Sequence, residues 1–123
     1  MAKKILIIED DLSLAKALRA SLEEEGFEVI ESHDGIAGLE AAEKNLPDLT
    51  ICDISMPKMD GLTMLKKMRT TDWGKNLPVI MLTNFDDVER ISLALKHSAF
   101  RYFVKSDWDL SKIIEEIKKE LKV

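Results

Sequence analysis

The sequence predicts an α/β fold, a five-stranded parallel sheet flanked by five helices, within one domain of 123 residues. Two observations carry this. Short, β-branched apolar runs alternate along the whole chain with longer stretches whose apolar residues recur at helical spacing. Four of the runs also end abruptly in a polar side chain: Ile8 in Glu9, Cys52 in Asp53, Leu82 in Thr83 and Val104 in Lys105. In an open parallel sheet such residues share the carboxyl edge, where ligands bind.

Taken in order, Lys3 to Ile8 is the first strand and runs into Glu9, Asp10 and Asp11. Leu14, Ala15, Leu18 and Leu22 then share one helical face, and Gly26 stops that helix. Phe27 to Glu31 is the second strand. Asp34 is placed to cap a helix to about Asn45, with Ile36, Leu39, Ala42 and Leu46 as its inner face. Leu49 to Asp53 is the third strand. A helix over Gly61 to Arg69 turns Leu62, Leu65 and Met68 inward. After a turn from Thr71 to Asn76, in which Trp73 packs locally, Val79 to Leu82 forms the fourth strand and ends at Thr83. Asp86 or Asp87 caps the fourth helix, with Val88, Ile91 and Leu95 aligned. Arg101 to Val104 is the fifth strand, and the last helix starts near Asp109 with Ile113, Ile114, Ile117 and Leu121 buried.

Composition sets the outer limits. With 46% apolar and 33% charged residues, the chain reads as a globular protein able to bury one core. No apolar run approaches the ~20 residues of a membrane span, and the start, MAKKILIIEDD, lacks a signal-peptide cleavage site. Cys52 is the single cysteine, so no internal disulfide forms and it is read as a small buried hydrophobe. A cytoplasmic location is expected. The net charge of −5 argues against nucleic acid as a direct partner. Helical pattern continues nearly to Val123, so a single domain over 1–123 without an output domain is expected.

The densest signal is Pro47 to Gly61, PDLTICDISMPKMDG, where a buried strand ends in a carboxylate and a turn-rich stretch follows. Right-handed crossovers leave few topologies for the sheet, and the flavodoxin-like order 2-1-3-4-5 is one of them. In that order Glu9, Asp10 and Asp53 converge at the switch point. The alternating pattern permits this order without requiring it. Three converging carboxylates repel one another, and a divalent cation resolves the conflict. An all-oxygen set with room for water suits magnesium, or manganese in its place, over zinc.

The same stretch closely resembles the phosphoacceptor segment of response-regulator receiver domains, the CheY-like family of two-component signalling. There an Asp is followed four residues later by Pro and then by Asp-Gly, matched here by Asp53, Pro57, Asp60 and Gly61. The resemblance covers the whole chain and supplies the order 2-1-3-4-5. It implies that Asp53 accepts a phosphoryl group from a phosphohistidine on a sensor histidine kinase or a histidine phosphotransfer protein. It further implies a metal held by Glu9, Asp10, Asp53 and the backbone carbonyl of Ser55. Thr83 would give a hydroxyl hydrogen bond and Lys105 an ammonium contact to the phosphoryl oxygens. Thr83 and Tyr102 would be the switch residues, altering the face of helix four, strand five and helix five (Phe100, Tyr102, Trp108) for a downstream protein whose identity is left open, as is phosphorylation-linked homodimerisation. Such a domain catalyses only its own phosphorylation and dephosphorylation and is not otherwise an enzyme.

The chain departs from the family pattern in three places. Lys105 precedes Ser106 where the family has proline after a cis bond; a cis bond before a non-proline costs roughly 2.5–4 kcal/mol, so trans is expected. Ser98-Ala99 replaces Gly-Ala before strand five, and Asn84-Phe85 follows Thr83. Ser55 and Phe85 hold the positions that tune acyl-phosphate hydrolysis, and bulky Phe85 is expected to shield the phosphoryl group. His33 and His97 are read as surface or loop residues. A flavin carrier of the same architecture needs a phosphate-cradling loop after strand one, where this chain places Glu9, Asp10 and Asp11. A haloacid-dehalogenase-like phosphatase needs an Asp where Ser55 stands. The remaining alternative is a receiver-like docking module that is not phosphorylated.

Overall fold

The computed structural model describes residues 2–83, 101–104 and 109–123, together with Glu89, Ser92, Leu93 and Lys96. Strands and helices alternate: β1 (Lys4–Ile8), α1 (Leu12–Glu24), β2 (Glu28–Ser32), α2 (Gly35–Asn45), β3 (Leu49–Asp53), α3 (Gly61–Arg69), β4 (Val79–Thr83), β5 (Arg101–Val104) and a C-terminal helix (Leu110–Leu121). The five strands are parallel and pair in the order β2-β1-β3-β4-β5. The order turns back between β1 and β3, so the switch point lies where these two strands end. The helix expected from Asp86 or Asp87 falls for the most part outside the described residues, although Glu89, Ser92, Leu93 and Lys96 are helical.

Continuous apolar strands need cover on both faces, and the side-chain period of two divides them between two layers. Ile5, Ile7, Leu49, Ile51, Ile80 and Leu82 pack against Ala15, Leu18 and Leu22 of α1 and Ile113 and Ile117 of the C-terminal helix. Leu6, Ile8, Cys52, Val79 and Met81 pack against Ala42 of α2 and Leu62, Met64, Leu65 and Met68 of α3. Trp73, expected to pack locally within its turn, lies partly buried against this second layer. Among the described residues no helix is long and apolar enough to cross a membrane.

Helix boundaries follow local chemistry. Asp11 caps α1 by accepting from the Ser13 and Leu14 N–H groups at 3.0 and 3.2 Å. At its far end Gly26 takes a left-handed φ of 92°, the Gly26 N–H donates to the Glu23 carbonyl and the Phe27 N–H to Leu22. That arrangement absorbs Phe27 into the helix stop, so β2 begins at Glu28, one residue later than the apolar pattern indicated. Asp34, Asp60 and Asp109 cap α2, α3 and the C-terminal helix in the same way as Asp11 caps α1.

The expected inner face of α2 requires correction. Ile36 and Leu46 are 44% and 55% exposed; Gly35, Gly38 and Ala42 form the buried stripe, with Leu39 half-buried. The helix lies so close to the sheet that small residues alone fit beneath it: a Cβ on Gly38 would come within 2.6 Å of the Ile8 side chain. Leu46 is pushed outward because it ends the helix in the left-handed region at φ 46°. In the C-terminal helix, Ile113 and Ile117 are fully buried, whereas Ile114 and Leu121 are only partly so.

Candidate functional site

The acidic run after β1 divides into three roles. The Glu9 N–H donates to the Ser32 carbonyl at 3.0 Å, extending the β1–β2 pairing and turning its side chain wholly inward. One Glu9 carboxylate oxygen, Oε2, accepts from the Asp11 N–H at 3.0 Å, while Asp11 itself caps α1. Asp10, between them, is exposed.

Asp53 ends β3, next to Leu82 of β4, and is 3% exposed. Its Oδ1 accepts from the Ser55 N–H at 3.2 Å. The Cys52 thiol donates to the Asp53 carbonyl at 3.3 Å; burial first, then the negative charges of Asp53, Glu9 and Asp60, push that thiol well up, so it stays protonated and inert. The chain then turns through Pro57, Lys58 and Met59. Lys58 takes a left-handed φ of 68° and the Met59 N–H closes onto the Pro57 carbonyl at 2.8 Å. Asp60 caps α3 through the Thr63 N–H at 2.8 Å, and the Gly61 N–H returns to the Ile54 carbonyl at 2.8 Å. A Cβ on Gly61 would overlap the Asp53 carbonyl oxygen, so the Asp-Gly pair both starts α3 and lets it approach the strand end.

Glu9, Asp10 and Asp53 are thus brought together, each offering a carboxylate oxygen within 4.8 Å of the others. Two buried carboxylates and one exposed one form an oxygen-only donor set with access to solvent, which suits a hard divalent cation. Thr83 lies at the same edge: it is one residue beyond Leu82, the β4 neighbour of Asp53, and pairs with Val104 of β5. Tyr102 pairs in register with Met81. Lys105, Phe85 and Ser106 lie outside the described residues, as do Phe100, Trp108 and His97. His33 is exposed, and its Nε2 lies 2.8 Å from Glu31 Oε2.

Residue-by-residue reading of the sequence missed how the site is held. A Cβ on Gly35, the first residue of α2, would overlap the carbonyl oxygen of Met59 in the loop after Asp53. Asp34 Oδ2 lies 3.6 Å from Lys58 Nζ in that loop. The signal was present: Asp-Gly occurs at Asp34-Gly35 and again at Asp60-Gly61, each pair opening a helix that abuts the same seven-residue stretch, 54–60.

A doubly wound sheet with an acidic cluster at its switch point defines the class: an α/β fold that gathers carboxylates at the carboxyl ends of β1 and β3. The family model for the response regulator receiver domain matches residues 5–118, and the chain belongs to that family, whose members are phosphoacceptor domains of two-component signalling. The response regulator MprA of Mycobacterium ulcerans is 35% identical over 105 residues, covering 85% of this chain and 44% of that protein. The chain therefore spans about half the length of these relatives. Sporulation initiation phosphotransferase F of Bacillus subtilis is 31% identical over 121 residues, covering 98% of this chain and 95% of that one. The crystal structure of a putative response regulator from Chloroflexus aurantiacus superposes with a TM-score of 0.91 at 31% identity, over the whole of both chains.

Proposed function

We propose that Asp53 is the phosphoacceptor and that the phosphoryl group comes from a phosphohistidine on a sensor histidine kinase or a histidine phosphotransfer protein. The observation that carries this is the position of Asp53, buried at the end of β3 with Glu9 and Asp10 oxygens within 4.8 Å. One Asp53 carboxylate oxygen forms the new P–O bond as the P–N bond breaks; the imidazole nitrogen leaves with the bonding pair and takes up a proton. Hydrolysis later returns the carboxylate and releases phosphate.

Glu9, Asp10, Asp53 and the Ser55 carbonyl would hold magnesium, with manganese as a substitute. When bound, the cation offsets charge on the phosphoryl oxygens. Thr83 would contribute a hydroxyl and Lys105 an ammonium group to the same oxygens, and Ser55 with Phe85 would set the hydrolysis rate. Phosphorylation would bias Thr83 and Tyr102 between two arrangements, with the face of helix four, β5 and the C-terminal helix as the surface read by a protein target or a second copy. In this reading residues 1–123 form one cytoplasmic receiver domain, its sheet wrapped by five helices. Beyond forming and losing its own acyl phosphate it has no catalytic role. The near-complete coverage of a relative named as a phosphotransferase supports phosphoryl passage through this chain.

Intact mass tests the reading after incubation with a small acyl-phosphate donor, with and without magnesium. One added phosphoryl group, dependent on magnesium and absent in Asp53→Asn, is expected. An unlabelled wild-type protein that also fails to bind beryllofluoride would indicate a docking module instead.

A further inference from the structure

The loop that follows Asp53 is fixed at its ends by β3 and α3, and toward its α3 end, at Lys58 and Met59, it is touched from outside by α2. That contact is backbone to backbone. The first residue of α2, Gly35, faces the Met59 peptide so closely that a Cβ there would overlap the Met59 carbonyl oxygen and lie 2.8 Å from its carbon. The obstacle is main chain, which cannot swing away as a side chain can. Three residues on, Gly38 makes a different close approach, to the Ile8 side chain and not to main chain. Beside Gly35, Asp34 commits Oδ1 to capping α2 through the Ala37 N–H at 2.8 Å and leaves Oδ2 3.6 Å from Lys58 Nζ. Lys58 is the residue held at a left-handed φ of 68°, a conformation that costs a non-glycine residue energy and needs support from its surroundings.

Resting on the functional reading above, we propose that Gly35 is a positioning residue for the metal and phosphoacceptor site: the missing side chain at the start of α2, assisted by the Asp34–Lys58 pair, sets the height of the 54–60 loop and with it the aim of the Ser55 carbonyl. A methyl group at Gly35 forces the Met59 peptide away from α2. Because the loop is short and anchored at both ends, the displacement passes to Ser55, four residues earlier. Supporting groups behind metal ligands commonly change metal affinity by about 10–100-fold when altered. The effect here is on binding of the cation by the unmodified protein, before any phosphoryl transfer.

Manganese binding, followed by electron paramagnetic resonance on wild type, Gly35→Ala, Gly38→Ala and Asp53→Asn, separates positioning from stability. Thermal melting is recorded in parallel. Gly35→Ala is expected to bind manganese on the order of tenfold more weakly while still folded. Gly38→Ala, which presses on a core side chain, should melt at lower temperature yet keep wild-type affinity. Equal affinities for wild type and Gly35→Ala, or an equal loss in Gly38→Ala, would overturn the inference. Should Gly35→Ala not fold, Lys58→Gln decides by sign. Removing a cation beside an acidic site tightens manganese by charge alone, whereas loosening the loop weakens it. Weaker binding supports the inference; unchanged or tighter binding overturns it. A wild type that binds no manganese overturns the metal reading itself, and a wild type that binds while Gly35→Ala matches it overturns this inference alone.

Discussion

On the face covered by α1 and the C-terminal helix, Leu and Ile side chains from helix and strand pack against one another. On the face covered by α2 and α3, glycines bring backbone against backbone, and Met64, Met68 and Met81 fill the remaining space. Methionine suits irregular gaps of this kind because its unbranched chain adapts to them. The first face ends at the helix stop around Gly26. The second leads directly into the loop after Asp53, through Gly35 at Met59 and Gly61 at the Asp53 carbonyl. The first face supplies stability, and the second also sets the geometry of the site.

The largest expected effect belongs to the first face. Leu22→Ala removes a fully buried side chain and should cost about 2–5 kcal/mol in urea unfolding. Manganese affinity of the folded fraction should stay at the wild-type value; a parallel loss of affinity would break the comparison. On the second face, Thr50 lies between Leu6 and Val79, and its hydroxyl, fully buried, has no hydrogen-bond partner among the described residues. Thr50→Val keeps the shape and removes that polar group, so a gain of about 1 kcal/mol is expected by the same assay. Asp109→Ala removes the cap of the C-terminal helix, whose side chain accepts from the Ser111 N–H at 2.9 Å. The expected loss is about 1 kcal/mol or less, with metal binding again untouched.

The smallest effect concerns acid. The Ala37 N–H bond holds the Asp34 carboxyl below its usual value, against a smaller opposing effect of desolvation and with further help from Lys58. A depressed folded-state value means stability that is complete above the unfolded aspartate range and is lost as pH falls through the folded value. Asp34→Asn keeps a capping side chain but cannot titrate, so stability curves of wild type and variant should converge in shape at neutral pH and separate only in acid. No separation would show that the cap is not formed in solution.

Much of the fold was legible because it depends on period and punctuation. Leu49 to Asp53 and Gly61 to Arg69 fall where apolar runs, Pro57 and Asp60-Gly61 place them. The faces of α1 and the C-terminal helix follow from side chains that are both apolar and large. The face of α2 was misread for the converse reason. Periodicity weighs apolar bulk, and there the buried positions are Gly35 and Gly38, chosen for having none, while Ile36 and Leu46 point outward. At the site, Glu9 and Asp53 were recognisable as strand-end carboxylates. What no single residue announces is contact across the chain, such as Gly35 at Met59, because a glycine's reason lies in its neighbour rather than in itself.

The central claim, that Asp53 receives the phosphoryl group, is tested most directly by locating the group chemically. Borohydride reduces an aspartyl phosphate to homoserine, which tandem mass spectrometry of peptides can place. After labelling with an acyl-phosphate donor and magnesium, homoserine at Asp53 alone is predicted. Homoserine at Asp10 or Asp60 with Asp53 intact would contradict the account.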